Sequence, residues 1–221
     1  TINDTTLSHV AVATKGDMTL KQIASSDSNR YSLKLTFDEY VDGQTLSGLR
    51  ALNLNSQYSD SSQMREYLSY QIFAQMGVPS CAVAYAKVSI NGEYQGLYLA
   101  VEEVDEPYLE RWFGEVSGDL YKPDGTAGSD LRYVGDDIAD YAGIVCKSER
   151  ENPDEDLLLG MIAAINEGEE IERYLNVDEM LRYFAVSTAL VNLDSYQGSQ
   201  LHNYYLYEQD GVFSILPWDL N

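Results

Sequence analysis

The chain has 221 residues, 44% of them apolar, and its 36 acidic and 14 basic residues give a net charge of −22. That is enough apolar chain to bury a core and too much to stay disordered. The acidic balance argues against free binding to nucleic acid or to anionic membranes and suits divalent cations or basic protein partners, and no apolar run reaches the roughly 18 residues of a membrane span. No secretory leader is visible ahead of Thr1, which is compatible with one having been removed.

In chain order, residues 9–16 (HVAVATKG) read as a strand closed by a glycine turn. Residues 30–40 alternate as a strand, with Tyr31, Leu33, Leu35 and Phe37 on one face. The stretch 49–55 (LRALNLN) is a further short strand. Residues 60–80 predict a helix capped by Asp60 or Ser61 and stopped by Gly77 and Pro79. Its apolar residues Met64, Leu68, Ile72 and Met76 recur every fourth position, and Tyr67 and Phe73 widen that stripe. A hairpin follows around Asn91-Gly92, the turn that the strand twist favours. It is expected at the centre of the first sheet.

Residues 106–114 read as a short helix, and 118–130 as a strand leaving into a glycine-rich loop. From 125 to 152 no clean period appears, and a mixed region is expected. Two helices come next, over 154–168 and 176–196. Asn176 and Glu179 form a near capping box for the second, and Met180, Leu181, Phe184, Ala185, Thr188 and Ala189 form its expected buried side. A closing hairpin turns at Asp210-Gly211. The order predicts an α+β chain with a β-rich first half, a more helical second half and a cleft between them. The two cysteines, Cys81 and Cys146, sit in apolar surroundings and read as free thiols.

The chemistry concentrates near the closing hairpin. Asp194 ends the long helix, Asn203 opens the hairpin and Asp219 closes it. A hairpin brings its far end back to its start, so Asn203 and Asp219 should be neighbours. A carboxylate with an amide oxygen suits Mg²⁺, which keeps several waters and substrate phosphates. A second carboxylate outside the metal shell can accept a hydroxyl proton. Protein kinases order their phosphoryl-transfer groups in this way. Here the interval from Asp194 to Asn203 is longer, and Leu-Asn follows Asp219. From pattern alone an Asp cap, an Asn turn and an Asp strand end are the stronger reading.

The stretches YSLKLTFDEY, NGEYQGLYLAVEEVD, GDLYKPDG, NLDSYQGSQLHNYYLY and ILPWDLN occur in an order that resembles the CotH kinase family, atypical kinases first known from spore coats. The resemblance covers most of 10–221. It implies an atypical protein-kinase-like fold in a single domain, with approximate lobes 1–121 and 122–221. It also implies ATP and Mg²⁺ as cofactors, Asp194 as the catalytic carboxylate, and Asn203 and Asp219 as metal ligands, with Asn192 as a competing amide. Trp218 and Tyr121 would flank the base. Lys34 and Lys122, with Lys15 as a third choice, would meet the phosphates. Arg65 or Glu66 would orient a lysine or a phosphate. His9 and His202 read as structural.

The implied acceptor is Ser or Thr of a secreted, coat or surface protein, basic and Ser-rich to suit the −22 charge. The implied location is extracellular, at the cell surface or in a spore coat. Family members continue past the segment that matches 217–219, so a C-terminal truncation is expected. A non-catalytic surface or scaffold module of the same fold is the alternative, and the tyrosine content, 18 against 5 phenylalanines, is compatible with it. Oligomeric state is not legible.

Overall fold

A computed structural model describes residues 1–148 and 152–220. Within them the chain forms two compact units, Thr1–Leu68 with Cys81–Glu115, and Ser69–Ser80 with Val116–Leu220. Each holds one antiparallel sheet, so the class is α+β as expected.

The first unit carries β1 (Ala11–Thr14), α1 (Met18–Ala24), β2 (Leu33–Thr36), β3 (Ala51–Asn55), β4 (Val83–Ile90), β5 (Glu93–Glu102) and α3 (Glu106–Phe113). Its sheet runs β1-β2-β3-β5-β4. Asn91 and Gly92 turn β4 into β5 with φ of 53° and 84°, both left-handed as the tight hairpin turn requires. The hairpin is not central, because β5 pairs with β3 and leaves β4 at the edge. The sequence of β4 fits that place. It is nowhere buried, it carries Lys87, and its register breaks between Val88 and Ser89, all devices that blunt an edge.

Helix α2 (Arg65–Gln75) starts in the first unit and ends in the second. The Asp60 carboxylate accepts the backbone N–H groups of Met64 and Arg65, each at 2.9 Å, and so caps it. Burial opposes ionisation of Asp60, but the Ser62 hydroxyl and the N–H groups of Arg65 and Ser62 outweigh it and hold the group at about 2. Gly77, at φ 73°, ends the helix. The fourfold stripe is the wrong face. Met64, Leu68, Ile72 and Met76 are all at least 37% exposed, whereas Glu66, Tyr70 and Phe73 are buried. Both sets repeat at helical spacing. The buried one carries the two larger rings, and a carboxylate that Asn55 Nδ2 and Gln57 Nε2 satisfy at 2.7 and 2.6 Å.

The second unit carries β6 (Leu120–Pro123), a short 3-10 turn (Ile138–Tyr141), β7 (Ile144–Cys146), α4 (Glu155–Glu167), α5 (Ile171–Tyr174), α6 (Val177–Ala189), β8 (Tyr204–Gln209) and β9 (Val212–Pro217). Its sheet runs β7-β6-β8-β9, and α5 and α6 lie against β9. The unpatterned region from 125 divides into that turn and β7, with 149–151 outside the described residues. Asn176 caps α6 by accepting Glu179 N–H at 3.3 Å. The buried side of α6 is Glu179, Met180, Tyr183, Val186 and Ser187. Leu181, Ala185, Thr188 and Ala189 face outward instead. The helix is rotated because Tyr183 takes the core position, its ring against Phe73 with centroids 5.4 Å apart. Cys81 and Cys146 are free, Cys81 buried and Cys146 half-buried. No helix among the described residues is long and apolar enough to cross a membrane.

Placing Glu179 on the buried side has a measurable cost. Burial raises its carboxyl from 4.5 to about 7, against the Ser214 hydroxyl, the Ile215 N–H and the pull of Arg182. One oxygen, Oε1, has no hydrogen-bond partner among the described residues. A raised carboxyl stabilises the fold fully below its unfolded value and loses that stability as pH rises through the folded value. Stability should therefore fall between pH 4.5 and about 7. Asp105 of the first unit, raised to about 7 chiefly by burial and then by Glu103, adds to the same window. Glu179→Gln removes its share. No gain is expected near pH 4, and near pH 8 a gain of up to about 3 kcal/mol, because each tenfold change in proton affinity is worth ~1.4 kcal/mol. Urea midpoints at the two pH values read this out.

Candidate functional site

The closing hairpin brings Asn203 and Asp219 to one end. Tyr204 pairs with Pro217, and Trp218 N–H donates to the Asn203 carbonyl at 3.3 Å. Both residues sit in left-handed backbone, at φ 60° and 52°, which Asn and Asp tolerate better than other side chains. Asp219 is half-buried, and its N–H donates to the Tyr70 hydroxyl at 3.1 Å. The strand end is thus held by its backbone, independently of the carboxylate.

Asp194 does not end α6. It lies in the loop beyond it, which several contacts tie down. Asn192 N–H donates to the Ser187 carbonyl at 2.8 Å. Fully buried Ser195 makes a hydroxyl contact with Tyr183, whose phenol burial pushes to about 12. At Gly198 a Cβ would fall 1.6 Å from the Leu193 carbonyl oxygen, so the close approach demands glycine. Val191 takes φ 56°, a strained setting for a β-branched residue. Out of this loop Asp194 projects with its side chain 53% exposed.

Asn203 Nδ2 donates to Asp194 Oδ2 at 3.0 Å. The amide nitrogen is thereby engaged, while among the described residues nothing donates to its Oδ1. The competing amide, Asn192, uses its Oδ1 to accept Asp194 N–H at 3.4 Å. His202 reads as structural from sequence, yet its Nε2 lies 3.8 Å from Asp194 Oδ1. The signal that could have found it is its place beside Asn203 in the turn. Gly125 is shaped by the same turn: at φ 86°, a Cβ there would come 2.6 Å from the Gln200 carbonyl oxygen and 3.3 Å from the His202 ring.

Lys122, on β6, reaches the hairpin. Its Nζ lies 5.0 Å from the Tyr205 ring centre and 5.5 Å from that of Trp218, both within cation–π range. Trp218 meets Tyr205 edge-on at 5.7 Å and is 6% exposed. Tyr121 is a core residue at 2% exposure, packed on Phe213 with its hydroxyl toward the Asp154 carbonyl. Burial, then the charge of Asp119, pushes its phenol well above the usual range. Its ring offers no face to a nucleotide, against the sequence expectation. In the first unit Lys34 pairs with Glu103 at 3.1 Å, and Glu103 also accepts from Asn53 at 2.7 Å. Glu66 is fully buried, and Arg65 lies 3.5 Å from Asp60.

Among the described residues no cluster of three or more His, Cys, Asp or Glu side chains is arranged to hold a metal. A zinc-type cage is not what this donor set offers. One carboxylate and one amide oxygen at a hairpin end fit a hard cation that keeps most of its water and takes phosphate oxygens.

A family model described as CotH kinase protein matches residues 12–221. Inner spore coat protein H of Bacillus subtilis (strain 168) is 30% identical over 203 residues, covering 81% of this chain and 51% of that protein. An inner spore coat protein H-like protein of the same organism is 36% identical over 80 residues, 36% of this chain and 26% of that protein. The chain thus spans about half the length of the first relative and less of the second.

Proposed function

Since the chain belongs to the CotH kinase family, we propose that it is an atypical protein kinase that moves the γ-phosphate of ATP, with Mg²⁺, to Ser or Thr of a protein. The observation that carries the reading is the Asn203–Asp194 hydrogen bond beside Asp219. One amide orients the carboxylate that would meet the acceptor, and nothing among the described residues donates to its own oxygen. The kinase-like cleft belongs to this proposal, as do the roles that follow.

Asp219 and Asn203 Oδ1 would hold the metal. When bound, Mg²⁺ supplies charge neutralisation of the phosphates. Asp194 accepts the proton of the acceptor hydroxyl, with Asn203 fixing one of its oxygens. Lys122, held over the Tyr205 and Trp218 rings, supplies positive charge to the phosphates in a strongly acidic protein. Trp218 borders the base. The acceptor is basic and Ser-rich, and the location is a spore coat, a reading that the name of the relative supports, with the cell surface as the other location.

The test is thermal. At 100 times Kd, a ligand that binds only the folded state adds about 2.7 kcal/mol, or roughly 5–11 °C in a chain of this size. Mg-ATP should give that shift, and ATP with EDTA should not. A second reading rests on the exposed tyrosines of the first unit, Tyr40, Tyr58, Tyr85 and Tyr94, which suit a non-catalytic surface or scaffold module. An identical melting point with and without Mg-ATP would favour it.

A further inference from the structure

The second unit has an apolar pocket of about 220 Å³ that the phosphotransfer site does not use. Ile165 of α4, Val177, Leu181 and Phe184 of α6, Leu206 of β8 and Tyr196 form much of its wall. It exceeds an engineered void of about 150 Å³ that takes up benzene in another protein, and it is half-open. At its mouth Leu181 is 63% exposed, so a free ring sinking into the pocket leaves that side chain in water. A side chain carried on a backbone fills the pocket and covers Leu181 together.

Charge selects the backbone. The chain around lining residues Ile165 and Ile171 carries exposed Glu167, Glu169, Glu170 and Glu172, and Asp178 follows Val177. Arg173 pairs with Glu170, and Arg182 with Asp178. Glu167, Glu169 and Glu172 have no ion-pair partner among the described residues. One wall of the pocket, Tyr196, lies two residues from Asp194 on the same anchored loop. Its ring stacks on Phe184, with centroids 6.0 Å apart.

We infer that this pocket is a docking site for a basic polypeptide segment, which inserts one large apolar side chain between flanking Lys or Arg residues. This deepens the phosphotransfer reading, and the identification of that segment with the acceptor rests on it. The docking itself does not. The apolar side chain supplies the buried area, the glutamates supply the preference for cations, and the shared loop brings the docked segment to Asp194.

The test uses capped pentapeptides and methyl NMR on the whole chain, without nucleotide. Lys-Lys-Trp-Lys-Lys should shift the Ile165, Val177 and Leu181 methyls saturably. Binding should weaken at least tenfold with Ala in place of Trp, and at least tenfold with Glu in place of Lys. Raising salt from about 0.05 to 0.5 M should also weaken it, since the flanking charges are exposed. Leu181→Ser, at an exposed position, keeps the fold and should weaken binding about fivefold. Equal affinity for the Trp and Ala peptides means that only general attraction to an acidic surface is present, and overturns the proposal. So do saturable shifts from free indole with none from the Trp peptide, or shifts located elsewhere. Mg-ATP binding is read separately on the same sample. Peptide docking without Mg-ATP binding leaves the docking site and removes the kinase reading; Mg-ATP binding without docking does the reverse.

Discussion

Asp194→Asn is expected to lower phosphate transfer by about 10²–10⁴ while leaving Mg-ATP affinity within about twofold of the parent. The substitution removes a charge and little else. An asparagine at 194 still offers an oxygen to Asn203 Nδ2, now 3.0 Å from Asp194 Oδ2. The loop is held by contacts the side chain does not make: Asn192 to Ser187, Ser195 to Tyr183, and Gly198 against Leu193. What disappears is the anion proposed to accept the acceptor's proton. In free-energy terms the loss is about 2.7–5.5 kcal/mol of transition-state stabilisation. Transfer from γ-labelled ATP to a basic, Ser-rich peptide measures it, with the Mg-ATP melting shift as the binding control. Equal transfer by parent and variant removes Asp194 from the mechanism. A lost melting shift assigns it to nucleotide or metal binding instead.

The candidate site's hairpin end was legible because the covalent chain enforces proximity there. Asn203 and Asp219 are 16 positions apart, but a tight turn at Asp210-Gly211 leaves their neighbours Tyr204 and Pro217 as partners in register. Alternation and an Asp-Gly turn were enough to infer that. The same logic found the Asn91-Gly92 hairpin, but not its place at the sheet edge, because strand order is set by tertiary pairing of β5 with β3. Capping was legible in part: Asn176 accepts the N–H three positions on, as an N-cap does, whereas Asp60 reaches its helix from farther back, through the N–H groups of Met64 and Arg65.

Helix faces were less legible. Two stripes at helical spacing compete on α2, and hydrophobicity favours the aliphatic one. The packed face instead holds Tyr70, Phe73 and a carboxylate, Glu66. Tyrosine and a hydrogen-bonded acid count as polar in a periodic pattern, yet both are satisfied inside. α6 repeats the lesson with Tyr183, and with Glu179 at a cost, since only one of its oxygens is satisfied among the described residues. Tyr121 fails for the opposite reason: an aromatic beside a candidate lysine reads as a stacking platform, but successive strand residues point to opposite faces. Lys122 reaches the Trp218 ring while Tyr121 packs on Phe213.

Asp219→Ala is expected to weaken Mg-dependent ATP binding by at least about 10², the equivalent of roughly 3 kcal/mol. Of the two oxygen donors at the hairpin end, Asp219 is the charged one, and a hard cation in this setting depends on it. The alanine variant carries a second effect that must be separated. Asp219 sits at φ 52°, and alanine is less at ease there than aspartate, by about 1 kcal/mol. That lowers the melting point by roughly 2–4 °C without any ligand. Asp219→Asn divides the two. Asparagine accepts the left-handed backbone and keeps the N–H bond to Tyr70, now 3.1 Å, but it brings no charge. If Asp219 binds metal, both variants lose the Mg-ATP shift, and only the alanine variant melts lower by itself. If Asp219 is merely a strand end, asparagine behaves as the parent in every arm. ATP with EDTA supplies the remaining control, since parent and variants should then bind nucleotide equally weakly.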